Sequence, residues 1–255
     1  MNLQLEERTF LVTAASKGLG LSVAKALVDD KANVIICGRT ESSLKNAVES
    51  LGNRAQYFVA DVSQSVDVES LFDFIKEQTS KLDGLFVNAG GPPPGTFTEI
   101  SDETWLKSVD LTLMSAVRLT RTAIPLLKES DSPSILYSTS ISVKQPISNL
   151  LLSNALRPAV IGMMRTLSDE IGPEGIRVNA VCPGYIYTDR VNQLMAAAKS
   201  KGESTEENII DKIPLGRMGT PKEFGNVCAF ILSPLASYVH GALLLIDGGL
   251  YKGMM

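Results

Sequence analysis

Thr9-Phe10-Leu11-Val12-Thr13-Ala14-Ala15-Ser16-Lys17-Gly18-Leu19-Gly20 joins a short apolar run to a glycine-bearing turn, and Leu19, Val23, Ala26 and Leu27 then share one face of a helix. Phe10, Leu11 and Val12 are apolar at consecutive positions, which marks a strand covered on both faces. The same pattern recurs at Asn33–Cys37, Gln56–Ala60, Gly84–Asn88, Ser134–Ser138, Ile176–Cys182 and Ala242–Ile246, giving seven predicted strands with Thr9–Thr13. Amphipathic stretches separate them: Val68, Leu71, Phe72 and Ile75 fall on one helical face, as do Val160, Met163, Met164, Leu167 and Ile171. Alternating strands and helices require right-handed parallel crossovers. The expected fold is therefore an α/β doubly wound, seven-stranded parallel sheet with helices on both faces.

The 255 residues suit one domain spanning 1–255, and 44% hydrophobic with 20% charged residues provides for a sizeable core. Twenty-four Lys and Arg against 28 Asp and Glu give a net charge of −4. No basic surplus exists to neutralise a nucleic-acid backbone or an anionic bilayer, so neither is an expected partner. Cys37, Cys182 and Cys228 are odd in number, far apart and set in apolar runs, which suits buried thiols in a cytoplasmic protein rather than disulfides or a zinc site. The opening MNLQLEERTF has early acids and no apolar h-region, and no apolar stretch reaches membrane-spanning length, so a soluble cytoplasmic protein is expected. No metal site is expected either: His240 is the one histidine, without acid or thiol partners nearby in sequence, and reads as structural.

In a parallel α/β sheet the first strand-to-helix turn faces the ligand crevice, where backbone N–H groups and the helix dipole favour a pyrophosphate. Two glycines alone do not separate that use from a tight structural turn. The remaining motifs carry more. Asp61-Val62 ends the third strand, Asn88-Ala89-Gly90 ends the fourth, and Gly175-Ile176-Arg177-Val178-Asn179 leads to Pro183-Gly184, Ile186 and Thr188. Arg217-Met218-Gly219-Thr220-Pro221 and Asp247-Gly248-Gly249 come next. Five motifs in this order resemble the short-chain dehydrogenase/reductase family over nearly the whole chain, and among its members the 3-oxoacyl carrier-protein reductases. The resemblance implies a single-domain Rossmann fold and a dinucleotide held by Thr13, Ser16, Lys17, Gly18, Leu19, Gly20, Arg39, Thr40, Asp61, Val62, Asn88, Ala89, Gly90, Arg157, Pro183, Gly184, Ile186 and Thr188. One departure stands at Ala14, where the family has Gly, so the turn must accommodate a Cβ.

The second strand ends Cys37-Gly38-Arg39 with no carboxylate to take a ribose 2′-hydroxyl, while Lys17 and Arg39 offer cations to a 2′-phosphate. NADP(H) is accordingly expected over NAD(H).

The resemblance places a catalytic Ser at Ser140, a Tyr at Ser153, a Lys at Arg157 and an Asn at Thr112, so only the Ser is retained. An aliphatic hydroxyl ionises far above a phenol and is a poor acid, so Ser153 does not replace the Tyr as proton donor. Arg157 keeps a positive charge one helical turn away on the same face. It can hold a ribose or an oxyanion but cannot shuttle a proton.

Three readings stay open. The first is a reductase of a small or carrier-bound carbonyl, with Ser140, Ser153 and Arg157 polarising it and water, Tyr185 or Tyr187 supplying the proton. The second is a dinucleotide-binding sensor or interaction subunit with little turnover; the third is a non-redox reaction, such as dehydration or epimerisation, on the same cofactor. The helix expected from Asp102 to Lys128 carries Trp105, Val109, Leu113, Ala116 and Val117, enough apolar surface to predict a homo-oligomer, with a tetramer by analogy. Trp105 itself reads as packing. Pro92-Pro93-Pro94 either borders the pocket or fixes a turn, and the polar stretch about 190–215, centred on Met195–Lys212, is expected to act as a mobile substrate lid.

Overall fold

The computed structural model describes residues 2–200 and 206–254, and for 194 and 196–200 the backbone alone. Seven parallel strands form one sheet in the order β3-β2-β1-β4-β5-β6-β7: β1 (Thr9–Val12), β2 (Asn33–Gly38), β3 (Ala55–Val59), β4 (Gly84–Val87), β5 (Ser134–Ser138), β6 (Arg177–Pro183) and β7 (Leu243–Ile246). The doubly wound Rossmann fold expected from the sequence is present. Strand limits differ from the expected ones by no more than a residue.

Consecutive apolar residues serve two cores. Leu11, Ile35, Cys37 and Leu85 point to one face, covered by α3 (Ser65–Gln78), α5 (Ser115–Leu127) and α6 (Leu151–Ile171). Their neighbours Phe10, Val12, Val34, Ile36 and Phe86 point to the other, covered by α1 (Gly18–Asp29), α2 (Glu41–Leu51) and α9 (Pro221–Leu232). This is why the strands read as unbroken apolar runs. Cys37, Cys182 and Cys228 are all buried and unpaired with one another.

Helices α1 and α9 come close enough that a Cβ on Gly225 would collide with the Ser22 carbonyl. Helix α9 starts with a capping box: Thr220 accepts from the Glu223 N–H while the Glu223 carboxylate accepts from the Thr220 N–H. At the foot of the sheet, buried Asp83 accepts from the Thr9 N–H, Ser130 Oγ and Arg8, which also reaches Asp131. Arg177 is likewise spent on structure, donating to the carbonyls of Ile231, Leu232 and Ser233 at the end of α9. His240 is structural as expected: Nδ1 accepts from the Val178 N–H and Nε2 meets the Ser168 carbonyl.

The helix expected from Asp102 to Lys128 is present without a break from Asp102 to Leu127, but it is not α-helical throughout. It is α4 (Asp102–Val109), a π-helical turn over Asp110–Met114, then α5. The wider turn rotates α5 relative to α4 and brings Thr112 to 8% exposure beneath the C-terminal edge of the sheet. The stretch expected as a lid is helical in α7 (Asp189–Ser200) and α8 (Glu206–Ile210). Ile209, Ile213 and Met218 form a small separate apolar cluster there with Tyr185, Val191 and Met195 against them. Lys201, Gly202, Glu203, Ser204 and Thr205, on which much of the lid expectation rested, lie outside the described residues.

Candidate active site

The strand order reverses between β1 and β4, which opens a crevice at their C-terminal ends. Thr13 and Asn88 close its floor: Thr13 Oγ1 donates to the Asn88 carbonyl at 2.6 Å and accepts from the Asn88 N–H at 2.8 Å. Asn88 Nδ2 in turn lies 3.3 Å from the carbonyls of Thr13 and Ala14. Both residues therefore fasten the glycine-rich turn to β4, and Thr13 is fully buried. Ala14 sits at φ 47°, the left-handed region that a Cβ disfavours. At Gly20 a Cβ would stand 2.6 Å from the Ala14 carbonyl, so the turn folds tightly back on α1.

Helix α1 has no side-chain cap and no acid in its first turn, which leaves its leading N–H groups without side-chain acceptors. That unsatisfied helix start fits a dinucleotide phosphate. Ser16 lies beside Gly38 at the end of β2, and Arg39 and Thr40 come directly after it, exposed. Lys17 departs from the expected arrangement. Its ammonium is 3.1 Å from Asp189 on the first turn of α7, so it bridges the glycine-rich loop to α7 instead of standing free beside Arg39. Asp61 accepts from the N–H and Oγ of Ser63, and Val62 is buried. Pro183 is buried, and Gly184 presses on Asp247. Ile186 is buried and bridged to Gly219, and Thr188 caps α7 through the Val191 N–H.

A small cavity of about 20 Å³ lies inside the crevice, room for one water. Asn88, Ala89, Gly90, Thr112, Ser138, Thr139 and Arg157 line it, so the structure gathers Thr112 and Arg157 as expected. Thr112 Oγ1 is buried there without a hydrogen-bond partner among the described residues. Arg157 Nη1 donates to the carbonyls of Thr139 at 2.9 Å and Ser138 at 3.3 Å. Burial first, and the neighbouring Arg190 charge second, bring the Arg157 guanidinium down to about 10, still protonated at neutral pH.

Ser140 and Ser153 stand outside this lining. Ser140 Oγ accepts from the Ser142 N–H at 3.1 Å, which leaves its own proton free to donate. Ser153 is buried on α6 one turn before Arg157. The two tyrosines expected as proton donors are engaged elsewhere. Tyr187 donates to Glu206 at 2.9 Å, which raises its pKa, and Tyr185 packs against the α8 cluster, where burial raises its pKa. Neither is poised as a stronger acid than an ordinary phenol.

The residue missed from sequence is Arg190. Its Nη2 donates to the Pro92 carbonyl at 2.7 Å, and its guanidinium lies against Gly91, next to the cavity-lining Gly90. It has no periodic or motif signature, only a place two residues after Thr188. The Pro92–Pro94 loop borders a pocket: the Pro92 carbonyl anchors Arg190, and Pro93, Pro94 and Gly95 edge a second hollow with Ile100, Thr104 and Asn149.

A family model described as enoyl-(acyl carrier protein) reductase matches residues 13–251. The chain belongs to the short-chain dehydrogenase/reductase family of oxidoreductases. It is 31% identical to a putative ketoacyl reductase of the monensin polyketide synthase from Streptomyces virginiae, over 97% of this chain and 98% of that protein. A 3-oxoacyl-(acyl-carrier-protein) reductase from Salmonella typhimurium is 29% identical over 98% and 99%. Among solved structures, the L-sorbose reductase of Gluconobacter frateurii, complexed with NADPH and L-sorbose, superposes with a TM-score of 0.92 at 27% identity, over 100% of both chains. An NADPH-bound short-chain oxidoreductase from Pseudomonas aeruginosa, described as containing an atypical catalytic centre, superposes with a TM-score of 0.88 at 27% identity, over 97% and 99%.

Proposed function

We propose that this chain is an NADPH-dependent short-chain oxidoreductase that reduces a carbonyl, either a small ketone or a 3-oxoacyl group on a carrier. The observation that carries this reading is Arg157: a cation still lines the crevice beside Asn88–Gly90 and Thr112, where the resemblance expects the catalytic lysine. A bound nicotinamide dinucleotide supplies the hydride. The chain's own residues do the rest. The unsatisfied start of α1 takes the pyrophosphate, and Lys17, once drawn from Asp189, joins Arg39 on the 2′-phosphate. Ser140, with one lone pair occupied by the Ser142 N–H, donates a hydrogen bond to the substrate oxygen while keeping its proton, and Arg157 stabilises the negative charge that develops there. The final proton comes from water, since Ser153 is too weak an acid and both tyrosines are engaged.

That last point also supports a second reading, a dinucleotide-binding protein with little turnover. Purified protein incubated with NADPH and a panel of activated ketones and 3-oxoacyl thioesters separates the two. NADPH oxidation supports the reductase; tight NADPH binding without oxidation supports the second reading. A cytoplasmic homotetramer completes the proposal; its self-association is supported by exposed Leu106 and half-exposed Trp105, Val109 and Val117 on α4 and the start of α5. No described helix is long and apolar enough to cross a membrane.

A further inference from the structure

Arg157 and Arg190 meet at the Gly90–Gly91 segment of the crevice, near enough for their charges to act on each other. Arg157 comes from α6 and lines the cavity with Gly90; Arg190 comes from the first turn of α7 and rests on Gly91, the next residue along. Neither guanidinium has a carboxylate within ion-pair distance among the described residues. The nearby acids are spent: Asp189 pairs with Lys17, and Asp247 accepts from the N–H groups of Gly249 and Tyr251. Among the described residues each arginine donates only to main-chain carbonyls, through Nη1 for Arg157 and Nη2 for Arg190, so most of the five donors of each fork have no acceptor there. Two partly buried like charges with unused donors are costly without an anion between them, and a planar fork matches a carboxylate in two-point contact.

We propose that Arg190, acting with Arg157, binds a carboxylate on the substrate, so that the favoured carbonyl compounds are oxo acids. This rests on the reductase reading and narrows its substrate class. On the reductase reading Arg157 stands by the reacting oxygen, and Arg190 lies against Gly91, the residue next to the cavity-lining Gly90, which suits a carboxylate close to the carbonyl, as in a 2-oxo or 3-oxo acid. The Pro92 carbonyl holds the Arg190 fork in place, which lowers the entropy lost on binding.

The test compares benzoylformate with its methyl ester as substrates of the full-length protein, and measures binding of mandelate and of NADPH by calorimetry. Wild type should favour the acid over the ester in kcat/KM. Arg190→Gln should reduce that preference tenfold or more, mainly through KM, with mandelate binding to the NADPH complex falling in parallel; Arg190→Lys, which keeps the charge but loses the fork, should fall between. An unchanged acid-to-ester ratio in Arg190→Gln overturns the proposal. So does a tenfold loss confined to NADPH affinity, which would make the cofactor's phosphate the anion. If neither substrate is reduced but mandelate binds the NADPH complex in an Arg190-dependent way, the anion site stands and the reductase reading fails. If mandelate binding is absent or ignores Arg190, the anion site fails.

Discussion

Arg157 Nη1 lies 2.9 Å from the carbonyl oxygen of Thr139, so the cation that faces the crevice also ties α6 to the end of β5. Its removal should cost stability as well as activity. Arg157→Met strands the carbonyls of Ser138 and Thr139 beside an apolar side chain, and a lost charged hydrogen bond of this kind is worth roughly 1.5–3 kcal/mol. Urea denaturation should show that loss with an unchanged slope. Arg157→Lys, which can still reach one carbonyl, should lose about half as much.

Ser153→Tyr combined with Arg157→Lys rebuilds a tunable phenol next to a cation that can relay its proton. Turnover of an activated ketone should rise at least about tenfold in the double variant. Neither single change should give that gain, because the phenol and the ammonium work as a unit. A wild type that outperforms the double variant would show that Ser153 and Arg157 support a mechanism of their own, with the proton taken from solvent.

Ala14 holds a left-handed φ of 47° with its Cβ in place. The strain of such a conformation is about 1–2 kcal/mol, against which glycine's extra freedom in the unfolded chain offsets about 0.4–1 kcal/mol. Ala14→Gly should therefore stabilise the protein by roughly 0.5–1 kcal/mol, read as a higher urea midpoint. Ala14→Val should lower it.

Asp189 pairs with Lys17, and on the proposed reading it competes with the cofactor for that ammonium. The pair is exposed at both ends, and such pairs are worth about 0.2–1 kcal/mol, so Asp189→Asn should tighten NADPH binding about two- to threefold. Lys17→Ala and Arg39→Ala should each weaken NADPH about tenfold while moving NADH less than about twofold. Equal effects on the two cofactors would remove 2′-phosphate recognition from both residues.

Arg217, together with the N–H and hydroxyl of Thr220, holds the Glu223 carboxyl down at about 2. Because the folded value lies below the ordinary carboxylate range, this contribution is fully present above about pH 4.5 and is lost as the pH falls through about 2. The urea midpoint of wild type should fall over that window, and Glu223→Gln should flatten the fall. Parallel curves for the two proteins would mean that the α9 cap does not depend on this charge.

The fold was legible because two signals agreed. Runs such as Val34-Ile35-Ile36 are apolar at every position since both faces are covered, and β1 leads directly into the turn at Thr13–Lys17 that opens α1. The placing of Thr112 and Arg157 together came from matched positions, yet the π-helical turn that brings Thr112 there carries no residue signature. It comes from a shift in backbone hydrogen bonding, which side-chain periodicity cannot reveal. Arg190 and the Lys17–Asp189 pair were hidden for a related reason. A cation in a polar stretch looks the same whether solvent or Gly91 stands against it, and only the tertiary fold brings residues 91 and 190 together.

The contact of Gly225 with Ser22 ties a residue late in the chain to the first turns of α1. Any side chain at position 225 must lever α9 away from α1 or displace the Ser22 carbonyl, four residues from Gly18. In a screen of random variants, hits at position 225 would then register as weakened nucleotide retention, although the position touches no nucleotide. On the proposed reading, the region that heredity must protect for cofactor binding thus extends well past the glycine-rich turn.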